Sequence, residues 1–233
     1  MKIEWTGRDG VGRFALGASP ERYDAVPPLE RLIVDRDMLI VNDEILALSG
    51  FLAFAPYIGS GVRLPKRVSP EVAAAMQQFA SGAYLQISPV DFEPFAAPTG
   101  RGMLYVDEGN HARNALPNIW GVPRNATISV LDASTWGGYL VSTDHLQIAS
   151  NARVMADLGE RRHRMLPFLA VALLFVDSMK ASTLVVPDDS FDNEGDFQRV
   201  ARLLDAGKLA LLRESEARSV LDGDRQSRES LGD

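Results

Sequence analysis

Cysteine is absent from this sequence, and histidine occurs only at His111, His145 and His163. Without thiols there can be no disulfide, no thiolate zinc site and no cysteine nucleophile. Three scattered histidines do not make a histidine-rich metal site. Positive charge is also short: 24 lysines and arginines face 31 acids, for a formal net charge of −7. A duplex-binding protein shows a basic surplus because it must neutralise phosphates. Bulk nucleic-acid binding is therefore disfavoured, although a local basic patch remains compatible with the composition.

Long apolar runs are missing too. The longest, Met165–Val176, is interrupted by Pro167 and falls short of the ~18–20 residues needed to cross a bilayer. The opening MKIEWTGRDGVG lacks the apolar stretch of a secretory signal. A cytoplasmic location with no membrane association is the expectation reached by elimination.

What is present is ordinary globular material. Apolar residues make up 46 % and charged residues 24 % of 233 positions, enough to bury roughly 70–75 % of the unfolded surface without staples. MKIEW (1–5) and RFALG (13–17) alternate apolar and polar residues around a glycine-rich turn, the pattern of a hairpin. LERLIVDRDMLIV (29–41) reads as one strand, or as two joined at Asp35-Arg36-Asp37. Asn42 and Asp43 offer an N-cap for a helix over 44–55 that is apolar nearly all round and so belongs in the centre. Val62–Pro65 suits a short edge strand. Ser69, Pro70 and Glu71 are the clearest helix start in the chain, with the helix running to about Ala80.

Strands are expected over 83–90, 103–108, 127–132 and 139–143, with 146–150 extending the meander. The polar stretch 109–125 between two of them is long for a loop, and such loops are often functional. Past about residue 150 the pattern changes. A polar, basic helical segment is followed by an apolar helix (168–179), a strand apolar on both faces (182–187), an amphipathic helix (197–207) and a last strand (208–213). Helix–strand–helix–strand implies an α/β crossover with the two strands as parallel neighbours. The predicted fold class is thus α/β or α+β: a mixed sheet with a β-rich N-terminal half and a C-terminal helix–strand–helix–strand unit. Residues 1–213 are expected to form one globular domain, with a possible internal division near 150. Residues 214–233 are expected to form a charged, flexible tail.

Several residue groups have the chemistry of a site. Asp188, Asp189, Asp192, Glu194 and Asp196 follow the buried strand, where parallel-sheet proteins bind ligands. Asp188, Asp189 and Asp192 are the candidate ligands for Mg²⁺ or another divalent cation. The simpler reading is a solvated loop whose acids cap the next helix. His111 and Arg113, in the long loop, are candidate anion- or ligand-binding residues; an ordinary surface loop is the plainer alternative. Asp132, Ser134 and His145 have the residue types of a hydrolytic triad but no nucleophile-elbow motif around the serine. Gly7, Gly10 and Gly12 belong to the hairpin turn, not to a phosphate cradle, because a strand follows them. Arg161, Arg162, His163 and Arg164 are the basic cluster, with the charge to contact phosphate or an acidic partner; the plainer reading is a solvated helix face paired with Asp157 and Glu160.

No motif names a reaction. The functional expectation is a non-enzymatic binding or assembly module with a protein partner or an oligomeric state. The alternative is a metal-dependent or nucleotide-handling enzyme centred on the 188–196 loop.

Overall fold

The computed structural model describes residues 1–6, 12–36, 41–80, 84–93, 100–109 and 125–229, with side chains through 223. His111, Arg113, Gly7, Gly10 and Asp37 lie outside them.

The described residues form a mixed α/β structure around one large sheet. In chain order the strands are β1 (Lys2–Thr6), β2 (Phe14–Ser19), β3 (Arg31–Val34), β4 (Gly61–Val68), β5 (Gln86–Val90), β6 (Gly102–Asp107), β7 (Ala126–Asp132), β8 (Tyr139–Val141), β9 (His145–Ser150), β10 (Ala181–Val186) and β11 (Ala210–Arg213). The helices are α1 (Asp43–Phe54), α2 (Pro70–Phe79), α3 (Ala152–Leu158), α4 (Leu166–Leu173), α5 (Glu194–Ala206) and α6 (Glu214–Glu229). Across the sheet the order is β11-β10-β6-β7-β9-β3-β2-β1-β4-β5, with β8 also on β9.

Strands β11, β10, β6, β7 and β9 pair in parallel, as a series of crossovers requires. The β1–β2 and β2–β3 pairs are antiparallel, so the expected N-terminal hairpin is present. One backbone pair, Val34 with Ser150, joins these two parts. Side chains widen that seam. The Ile33 N–H donates to Asn151 Oδ1 at 2.7 Å, and Asn151 Nδ2 donates to the Arg31 carbonyl at 2.8 Å. Ser150 Oγ donates to the Ile33 carbonyl at 2.7 Å.

Strand side chains alternate between faces, and the two faces differ. Leu104 and Val106, Ile128 and Val130, Leu146 and Ile148, and Leu184 and Val186 point into the main core with α1, α4 and α5. Local chemistry starts each helix there. Asn42 Oδ1 accepts from the Glu44 N–H at 2.8 Å, Ser69 Oγ from the Val72 N–H at 3.3 Å and Asn193 Oδ1 from the Asp196 N–H at 2.9 Å. Glu44 is buried, and its Oε1 accepts from the Ser69 N–H at 2.7 Å, tying the first turn of α1 to the cap of α2. Pro167 sits in the first turn of α4, where its missing N–H costs nothing. That helix ends at Leu173, and a series of turns carries the chain to β10.

Two expectations are corrected. The strand over Val62–Pro65 is not at an edge: β4 lies between β1 and β5. Its length, Gly61–Val68, lets it pair on both sides, and Pro65 is accommodated at a register shift against β5. The segment from 214 is not a flexible tail where it is described. It forms α6, which packs on the second face of the sheet with Ala217 and Leu221 buried against Tyr105 and Val185. Two apolar residues four apart were enough to seat one stripe of an otherwise charged helix.

Candidate functional site

The second face changes character along the sheet. Under α6 it is apolar: Tyr105, Val185, Met103 and Leu212. Beyond α6 the same alternation puts Asp107 on β6, Thr127 and Ser129 on β7, and His145 and Gln147 on β9. Asp107 and Ser129 are direct register partners, and Ser129 is opposite Gln147. His145 is opposite Thr127, one step along.

Asp107 and Ser129 are each 2 % exposed. Buried polar groups of this kind need partners, and these have them. Ser129 Oγ donates to Asp107 Oδ2 at 2.9 Å and lies 2.9 Å from His145 Nε2. The row runs carboxylate, hydroxyl, imidazole. It differs from a hydrolytic triad, in which the imidazole sits in the middle. Strand order also reverses beside it. From β6 the chain proceeds to β7 and β9, then returns through α3 and α4 to β10 on the other flank of β6. Ligands in open parallel sheets gather at the carboxyl ends of strands flanking such a reversal; Asp107 ends β6, whereas Ser129 lies within β7 and His145 is the first residue of β9. The residue after Asp107, Glu108, takes Arg164 on its carboxylate and Arg153 Nη2 on its carbonyl at 2.9 Å.

His145 is the first residue of β9, the second strand of the β8–β9 hairpin, in which Tyr139, Leu140 and Val141 are 50 %, 61 % and 52 % exposed. The Ser142 N–H donates to the His145 carbonyl and the Ala149 N–H to the Gly138 carbonyl. Residues 138, 140 and 142 therefore face β9, and the backbone groups of Tyr139 and Val141 face the other way. Among the described residues no strand pairs that outer side. The Arg36 guanidinium covers one ring, 4.6 Å from the centroid of Tyr139.

The residues singled out in the sequence disperse. Asp188 Oδ1 accepts from the Ser215 N–H at 3.1 Å and from its Oγ at 2.8 Å, capping α6. Asp192 pairs with Arg161 at 3.2 Å, and Glu194 with Arg213 at 2.7 Å. Asp189 is exposed. Among the described residues no three acids or histidines gather as metal ligands. In the basic cluster, Arg162 pairs with Glu160 at 2.7 Å. Burial, with Arg162 adding to it, lowers the pKa of His163. Asp132 accepts from the Ser134 N–H at 2.8 Å, a local turn that holds its carboxyl below the usual range. It takes no part with His145, whose ring partner is Ser129. A small cavity lined by Tyr57, Met155, His163 and Pro167 has room for about one water molecule.

Comparison with protein-family models, with curated proteins and with solved structures finds no match to this chain. The geometry alone carries the functional reading. Sequence reasoning missed Asp107 and Ser129, although each left a trace. Both are hydrogen-bonding residues in largely apolar, buried strand segments, MLYVD and TISVL, where an unpaired polar group would cost about 1–3 kcal/mol.

Proposed function

We propose that this protein is a non-enzymatic assembly module in which β8 docks a second copy of the same chain by edge-to-edge strand pairing. The observation that carries the reading is the character of β8. It exposes three consecutive apolar residues beside an outer edge that no described strand pairs. Protein sheets normally blunt such an edge with lysine, proline or a cover. Strand β5, at one end of the sheet, contains Pro89, and β11, at the other, runs into α6. Tyr139-Leu140-Val141 has neither proline nor charge.

A second copy suits the edge because the register is self-complementary. An antiparallel pairing centred on Leu140 sets the outward groups of Tyr139 against those of Val141 in the partner, in both directions. Uncharged strands do not repel one another, despite the net charge of −7. The edge is short, so the contact falls below the ~1,200 Å² of a standard interface and association depends on concentration.

Light scattering on a sizing column, over a rising concentration series, is the test. The expected result is a monomer that becomes a dimer. Val141→Pro removes an outward N–H while leaving the pairing to β9, so it should remain monomeric with an unchanged melting temperature. Leu140→Lys should do the same through charge. A wild-type chain that stays monomeric throughout, or a dimer indifferent to both substitutions, contradicts the proposal.

A further inference from the structure

We infer that His145 is the contact residue of a binding site for an uncharged, hydroxyl-bearing small molecule, with Ser129 and Asp107 as the buried relay that holds its tautomer. This site shares Leu140 with β8, but it is formed within one chain and does not depend on dimerisation.

The argument is one of proton bookkeeping. An ionised carboxylate only accepts, and a hydroxyl has a single proton to give. Ser129 gives that proton to Asp107, 2.9 Å away. Its oxygen can then only accept from the imidazole 2.9 Å on the other side. His145 must therefore carry its proton on Nε2, and in the neutral ring Nδ1 is left as a bare lone pair. The ring of His145 bonds through Nε2, its other bonds use the backbone N–H and carbonyl, and Nδ1 is not among the buried atoms left without a partner. It is therefore open to a ligand. Buried groups that orient one nitrogen so that the other can serve a ligand are the usual supporting shell of a functional histidine.

The surroundings select the ligand. Strands β6 to β9 place Asp107, Thr127, Ser129, His145 and Gln147 on this stretch, with Leu140 beside Gln147 across the hairpin. None of the residues these strands set on that face is lysine or arginine. An anion would find no countercharge from them. A neutral hydroxyl can donate to Nδ1 and exchange further hydrogen bonds with the Gln147 amide, while a carbon face rests on Leu140.

Two measurements test the assignment. The first is nitrogen NMR of protein labelled at histidine. In the neutral form of the His145 ring the proton is expected on Nε2 in the wild type, and Ser129→Ala should lose that preference. The second is saturation-transfer NMR with D-ribose and glycerol as probes. Transfer to at least one probe is expected. It should weaken on the order of tenfold in His145→Ala and partly in Ser129→Ala. His145→Gln, which keeps polarity and bulk, serves if the alanine variant does not fold, and it should also lose the signal. A ring protonated at Nδ1 in the wild type, no transfer from either probe, or transfer unchanged by both His145 variants overturns the inference.

Discussion

The two faces of the sheet are made by the same strands and follow different rules. The first face meets α1 through α5 and is apolar almost without interruption. The second is covered by α6 over β10, β11 and β6, turns polar at Asp107, Ser129 and His145, and carries Lys2, Glu4 and Arg31 at its far end. A face with many helices can be specified by hydrophobicity alone. A face on which the described residues place one helix must satisfy its remaining buried groups by pairing them, and a paired row of polar groups can also meet a ligand.

The largest effect expected from breaking this contrast is on the first face. Phe175 is 2 % exposed and belongs to the main core, so Phe175→Ala should cost ~3–5 kcal/mol. A denaturant midpoint unchanged in that variant would show that the first face is not the dominant core. Leu221→Ala comes next. Leu221 is 2 % exposed under α6 but lies in a cluster of few residues, so the loss should sit near the lower end of the ~2–5 kcal/mol range for buried leucines. Hydrogen exchange should quicken in α6 and β11 and not in α1. Equal quickening in α1 would mean that the two faces do not open separately.

Ser129→Ala should follow, at ~1–3 kcal/mol, because it strips a buried carboxylate and an imidazole of their shared partner. Thermal melts of Ser129→Ala and of Ser129→Ala combined with Asp107→Asn separate the causes. If the carboxylate left without its hydroxyl is the main cost, the second substitution restores part of the stability.

The same contrast explains what was legible in the sequence. On the first face each strand or helix announced itself, because burial and period agreed: Asn42 and Ser69 capped the helices expected of them, and β10 and β11 are parallel neighbours. The second face was opaque for three reasons. Ala217 and Leu221 are too few to stand out in a charged segment, and only their meeting with Tyr105 and Val185 makes α6 a packed element. Asp107 and Ser129 are 22 residues apart, and register alone brings them together. In sequence, His145 had only the residue types of Asp132 and Ser134 to group with, and strand alternation turns it toward Ser129 instead. The position of β4 inside the sheet was hidden likewise, since edge or centre depends on partners far away in sequence.

The smallest effect concerns Asp188, where the two faces meet, and it separates a cap from a cation ligand. Asp188 leaves the end of β10 and its Oδ1 accepts from Ser215 at the start of α6. A cap needs only a side-chain oxygen, and asparagine serves about as well as aspartate. A divalent cation needs the negative carboxylate. Asp188→Asn should therefore leave the melting temperature nearly unchanged, whereas Asp188→Ala should lose ~0.5–2 kcal/mol. If Asp188, Asp189 and Asp192 instead bind Mg²⁺, a hundredfold excess over the dissociation constant should add ~2.7 kcal/mol, with no such gain in NaCl at equal ionic strength, and Asp188→Asn should abolish it. Asp188 is engaged by Ser215, Asp192 by Arg161, Glu194 by Arg213 and Asp196 by Arg199, so four of the five acids of this loop already have partners, and Asp189 is exposed. Little mutual repulsion is left for a cation to relieve, so the capping pattern is the outcome expected from melts of the three proteins in both salts.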